Sequence, residues 1–235
     1  MFFSVLDGTF KICRDAAGIA GNIFAFGLFI SPLPTFKRII RNQSTENFSG
    51  LPYIYALLNC LICTWYGTPL ISYDNVLVMS VNSIGAVFQM TYIIIFIVHA
   101  DREKKIKMIG LLLAVFGFLA IIVAGSLQIA DRGMRWIFVG LLSCASLVSM
   151  FASPLFIINL VIRTKSVEFM PFYLSLSTFL LSTSFFLYGI FNFDAFIYVP
   201  NGIGTVLGIL QLVLYFYYKT KSAEGSQEPL MVSHA

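Results

Sequence analysis

The sequence predicts an all-α integral membrane protein with seven transmembrane helices, built as two parallel three-helix repeats joined by a linker helix (3+1+3). Three observations carry that prediction: long apolar windows with sparse charge, an internal duplication, and basic residues gathered in alternate connections. Of 235 residues, 58% are hydrophobic and 11% charged. A soluble domain carries about 25% charge, so this charge cannot cover a water-facing surface.

Windows of roughly 20 apolar residues, enough to cross about 30 Å of hydrocarbon, recur at 16–36, 51–71, 76–98, 107–127, 134–161, 172–192 and 197–218. Residues 1–15 then form an extracytoplasmic segment without a cleavable leader pattern. The first repeat is expected at 16–98, the linker helix and its loops at 99–133, and the second repeat at 134–219. The polar stretch 220–235 has the composition of a disordered tail.

The duplication is read directly from the text. "SVNSIGAVFQMTYIIIF" at 80–96 aligns with "VPNGIGTVLGILQLVLY" at 199–215, a shift of 119 that pairs Asn82 with Asn201 and Gly85 with Gly204. Upstream, "SPLPTFKRIIRNQSTE" at 31–46 aligns with "SPLFIINLVIRTKSVE" at 153–168, a shift of 122 that pairs Pro32 with Pro154 and Glu46 with Glu168. The same shift pairs Tyr66-Gly67 with Tyr188-Gly189. Three crossings reverse the chain, so the unmatched fourth span restores its direction. The halves are therefore parallel repeats about a pseudo-two-fold axis along the membrane normal, and transporters place substrate at such an interface.

Charge fixes the expected orientation. Lys37, Arg38, Arg41, Arg102, Lys104, Lys105, Lys107, Arg163, Lys165, Lys219 and Lys221 fall on one side; Lys11, Arg14, Arg132 and Arg135 fall on the other. The positive-inside rule puts the richer side, with the C-terminus, in the cytosol and the N-terminus outside it. These residues read as anchors on anionic lipid rather than a nucleic-acid site. The sequons at Asn42 and Asn47 are then cytosolic and silent.

An unpaired amide in hydrocarbon costs several kcal/mol, so Asn82 and Asn201 need partners. Both sit roughly 10–12 Å below the outer helix ends at 1.5 Å per residue. Cys63 and Phe185, paired by the 122-residue shift, are expected at about the same depth. Two carboxamides match sugar hydroxyls as donors and acceptors, and a flat ring suits the apolar face of a pyranose. The competing reading makes the asparagines glue between helices. "CLIC" at 60–63 could suggest metal or redox chemistry, but zinc wants four ligands. Cys13 and Cys144 supply no matching pair, so packing or pocket lining is preferred and no metal or cofactor is expected.

Pro32, Pro52, Pro154 and Pro171 lie towards the cytosolic ends of four helices, where proline either kinks a helix or begins one. Apart from segment ends, the spans contain no Asp, Glu, His, Lys or Arg. Coupled carriers use such groups as relays, so energy-independent facilitated diffusion is favoured.

The motifs "SPLPTF…STENFSGLPYI", "WYGTPL", "VNSIGAVFQMTYI", "KSVEFMPFYLSL", "YGIFNFDAFIYVPNGIG" and "LQLVLYFYY" resemble the plant SWEET sugar transporters of MtN3/saliva type. The resemblance covers about 16–220 and is greatest to the type-two branch of the first clade. It implies a uniporter for mono- and possibly disaccharides such as glucose or sucrose, working by alternating access. It also implies sugar binding by Asn82 and Asn201, with Cys63 and Phe185 bounding the pocket. The four prolines become a hinge around the inner gate, and Tyr66 with Asp194 an outer gate pair. Tryptophan is frequent in the family where Phe185 stands, a departure bearing on sugar size. A homotrimer or other homo-oligomer is implied, with the vacuolar membrane favoured and the plasma membrane the alternative. A seven-helix receptor is the strongest rival, but would show no three-plus-three duplication. An intramembrane enzyme would need a buried Asp pair or Ser/His pair, absent here.

Overall fold

The computed structural model describes residues 2–168 and 170–225, and among these the regular structure is entirely helical. The helices are α1 (Phe2–Ile30), α2 (Leu33–Asn42), α3 (Leu51–Tyr66), α4 (Val76–His99), α5 (Arg102–Gln128), α6 (Arg132–Met150), α7 (Ala152–Thr164), α8 (Phe172–Phe191) and α9 (Ala195–Gly225). α1 with α2, and α6 with α7, each make one broken span, so the nine segments amount to seven crossings. Six spans are long and apolar enough to traverse a bilayer, and α3 is a shorter apolar helix. Their outward faces, including Ile12, Val87 and Phe156, are exposed apolar side chains, as a hydrocarbon solvent requires.

The duplication extends to backbone detail. Gln43 and Lys165, 122 residues apart, both end a helix at positive φ (49° and 53°). In the turns that follow, Ser44 Oγ accepts from Glu46 N at 3.1 Å and Ser166 Oγ from Glu168 N at 3.3 Å. Asp74 and Phe193, 119 apart, take positive φ (62° and 52°) just before α4 and α9. Non-glycine residues adopt this region uncommonly, so its recurrence in register reflects one ancestral unit.

Packing obeys the same symmetry. α3 packs on α4 and α8 on α9; α1 packs on α4 and α6 on α9; α1 meets α8 as α6 meets α3. Exchanging α1 with α6, α3 with α8 and α4 with α9 maps each contact onto another. Glycines permit the closest approaches. A Cβ on Gly85 would lie 2.8 Å from Cys60 Sγ and from Phe29; one on Gly204 would lie 2.6 Å from Ser182 Oγ and 3.1 Å from Phe151. Cys60 and Ser182, like Phe29 and Phe151, are themselves 122 apart. The unmatched α5 lies on α3, α4 and α6, burying Met108, Val115 and Ile122, seven residues apart along one face. Trp65 Nε1 anchors it by donating to Ser126 Oγ at 3.1 Å.

Several expected boundaries move. α3 stops at Tyr66 rather than 71, because residues 67–75 fold into the turn that carries Asn75. The first helix starts at Phe2, so residues 2–15 are helical and continuous with α1. α9 runs to Gly225, into the expected tail; residues 226–235 lie outside those described. The prolines divide into two kinds. Pro32 caps α2 at the break after α1, and Pro154 is third in α7, just past the break after α6. Pro52 is second in α3 and Pro171 precedes α8, where a missing N–H costs nothing.

Candidate functional site

A cavity of about 280 Å³ lies between the two repeats, and Cys63, Asn82, Phe185 and Asn201 all line it. Its size is near the lower end of small-molecule sites, about 300–1,000 Å³. α4 and α9 bring the asparagines in as symmetry mates. Asn82 Nδ2 donates to Val78 O at 2.9 Å and Asn201 Nδ2 to Ile197 O at 2.8 Å. Each carboxamide thus spends one N–H on its own helix, four residues back. Its oxygen and second N–H bond no other described residue, and neither asparagine ties one helix to another.

The four residues share one layer. Gly67 packs on Met79 and Gly85 on Cys60, which sets Cys63 level with Asn82. Gly189 packs on Tyr198 and Gly204 on Ser182, which sets Phe185 level with Asn201. Cys63 is three residues, about 4.5 Å, below Tyr66, and Tyr66 itself sits below Asn75, because the next residue, Gly67, packs on Met79. Phe185, three residues before Tyr188, repeats the Cys63 position. The thiol and the ring therefore flank the asparagines at the same level. Cys63 Sγ approaches Asn59 Oδ1 at 3.7 Å, and Cys60 is buried against Gly85. Both are free thiols in packing or lining positions.

A hydrogen-bonded cluster around Tyr66 and Asp194 stands at one end of the cavity. Tyr66 Oη lies 2.7 and 2.6 Å from the two carboxylate oxygens of Asp194 and donates its single proton to that carboxylate. Asn75 Nδ2 donates to Asp194 Oδ2 at 2.8 Å, Phe196 N to Asp194 Oδ1 at 3.1 Å, and Trp136 Nε1 to Tyr66 Oη at 2.8 Å. Asp194 is 4% exposed. No described cation pairs with it; instead it caps α9, whose N-terminal amides and dipole favour negative charge. Asn192 Nδ2 donates to Asn75 Oδ1 at 2.7 Å, and Tyr188 Oη to Asp74 O at 2.6 Å. These bonds join the two repeats and lie at the Tyr66 end. At the opposite end, the described side-chain bonds stay within a repeat or reach the linker, as in Arg38 to Glu46 and Lys104 to Glu46 O. The described hydrogen bonds between the repeats thus gather at the Tyr66 end.

Asn75 and Trp136 were missed in the sequence. Asn75 had a usable signal, since the 119-residue shift pairs it with Asp194; Trp136 had none before its contact with Tyr66. Asn59, Gln89 and Ser143 also line the cavity. The symmetry of the repeats hides the first two, because their counterparts are Leu181 and Gly208.

Comparison with known proteins fits this architecture. Residues 15–104 and 137–223 match the family described as "Sugar efflux transporter for intercellular exchange" (MtN3_slv), a match that skips α5. The chain is 69% identical over 229 residues to the bidirectional sugar transporter SWEET2 of Arabidopsis thaliana, covering 97% of each. It is 62% identical to SWEET2a of Sorghum bicolor, covering 98% of this chain and 95% of that one. A solved eukaryotic SWEET transporter superposes with a TM-score of 0.88 at 56% identity, covering 90% of this chain and 99% of that one. With two matched repeats, a linker outside the match and this degree of identity, the chain belongs to the SWEET transporter family and to its type-two branch.

Proposed function

We propose that this chain is a bidirectional uniporter that binds sugar between Asn82 and Asn201 and releases it to either side by alternating access. The observation that carries the reading is the hydrogen bonding of the two asparagines. Glue residues would spend their carboxamides across helices; these turn an acceptor and a donor into the cavity. Cys63 and Phe185 bound the sugar beside the asparagines. The Tyr66–Asp194 bond is the outer gate in its closed form, and Pro32, Pro52, Pro154 and Pro171 are the inner hinge. For Pro32 and Pro154 the support is a helix break; for Pro52 and Pro171 it is only their place at helix starts. The charge distribution supports an outer Tyr66 end and a cytosolic C-terminus. Likeness to the type-two branch favours a homotrimer in the vacuolar membrane.

The experiment is sugar flux in proteoliposomes, normalised to folded protein, for wild type, Asn82→Ala, Asn201→Ala and the double variant. Losing a hydrogen bond to a bound sugar costs about 1–3 kcal/mol, or roughly 5- to 150-fold in affinity. Each single variant should lose most transport at unchanged thermal stability, and the double should be little worse. Near-normal flux per folded molecule would refute the site. Flux in wild type should equilibrate without a proton or sodium gradient; gradient-driven accumulation would refute the uniporter.

A further inference from the structure

We propose that Gln89 is a second sugar-binding position, holding substrate between the asparagine pair and the Glu46 end of the pathway. The inference rests on the transport reading above. Asn82, Gly85 and Gln89 are spaced i, i+3 and i+7 on α4, so they share one face. Asn82 and Gln89 line the same cavity, with Gly85 between them against Cys60 and Phe29. Gln89 is 8% exposed, and its Oε1 is fully shielded with no hydrogen-bond partner. Its Nε2 forms no described bond either. A buried polar group left unsatisfied costs about 1–3 kcal/mol, so this carboxamide is expensive to keep unless a turn about its terminal torsion presents Oε1, shielded in this rotamer, to something in the cavity. Thr64 Oγ1 is the other such atom among the described residues, and Thr64 is not part of the lining.

Symmetry argues that the group does not serve the scaffold. The scaffold features described above recur in both repeats, but Gln89 has Gly208 as its mate. A Cβ at Gly208 would lie 2.9 Å from Phe179 Cα, so the second repeat puts backbone where the first puts a carboxamide. Asn59, which also lines this part, has Leu181 as its mate. The polar wall beyond the asparagine pair thus belongs to the first repeat alone.

A carboxamide can donate to one sugar hydroxyl and accept from another. Seven helical residues separate Gln89 from Asn82 by roughly 10 Å, too far for both to hold one hydroxyl. A monosaccharide at Gln89 has left the asparagine pair. With the Tyr66 end shut, it stands on the way out. Gln89 therefore acts on passage more than on the tightest binding.

The test compares Gln89→Leu and the size-matched Gln89→Met with wild type and Asn82→Ala. Proteoliposome turnover and equilibrium binding are measured for the sugar that wild type carries among D-glucose, D-galactose, D-fructose and sucrose, and for its monodeoxy analogues. One lost hydrogen bond predicts turnover about fivefold lower, with half-saturation of binding within twofold and no loss of thermal stability. The deficit should vanish for the analogue lacking the hydroxyl that Gln89 holds. Wild-type turnover in both variants overturns the proposal. So does a deficit equal for every analogue, a parallel loss of binding, or failure of both variants to fold. If Asn82→Ala transports normally, the asparagine site itself fails; if Asn82→Ala is inactive and both Gln89 variants are normal, only this inference fails.

Discussion

Replacing Tyr66 by Phe removes one oxygen and leaves the ring that packs against Phe196 at 6.2 Å. The hydroxyl donates to Asp194 and accepts from Trp136 Nε1 at 2.8 Å. A hydrogen bond to a charged group contributes about 1.5–3 kcal/mol, and in the open state the phenol and the carboxylate both regain water. The closed gate should therefore lose about 1.5–3 kcal/mol relative to the open one, raising the minor open population roughly 10- to 150-fold. Cys63, about one helical turn below the gate, reports that opening. In a Cys13→Ser, Cys60→Ala, Cys144→Ser background, an impermeant thiol reagent applied from the Tyr66 side reaches Cys63 only past the gate. Tyr66→Phe should speed its labelling by the factor above. Labelling within twofold of the Tyr66 protein, at equal folded yield, would show that the bond does not hold this end shut.

The glycines give a matched pair of stability predictions. Gly189→Ala puts a Cβ 2.6 Å from Tyr198 N and should cost about 1–3 kcal/mol by overpacking, seen as a lower Tm in detergent. Gly117→Ala on α5 meets nothing within 4 Å and should leave Tm unchanged or slightly raised. At the opposite end, hydrogen bonds first from Arg38 and then from Asn42 hold the Glu46 carboxyl below its ordinary value. A lowered carboxylate pKa stabilises above its unfolded value and is lost as pH falls through the folded one. The Tm difference between wild type and Glu46→Gln should thus persist above pH 4.5 and shrink below it. For orientation, Asn42 and Asn47 should carry no glycan in a eukaryotic host; glycosidase-sensitive mass on either would reverse the assignment.

The sequence by itself determined the solvent, the repeat and the asparagine pair. Each follows from local chemistry: hydrocarbon tolerates few charges, and an amide inside a span stands out against its neighbours. The two shifts, 122 and 119, even encode a structural fact, since Tyr66 to Asn75 spans three residues more than Tyr188 to Asp194. Tertiary structure alone decided where α3 ends. It also separated the prolines that follow a break in a span from those that begin a helix. It brought Asn75 and Trp136 to Tyr66 and Asp194, residues 128 positions apart. Gln89 escaped sequence reading because symmetry was the filter, and its mate is a glycine. Such bonds depend on which helix faces lie against each other. That is set by packing over the whole bundle, in which a glycine's close approach decides which side chains meet.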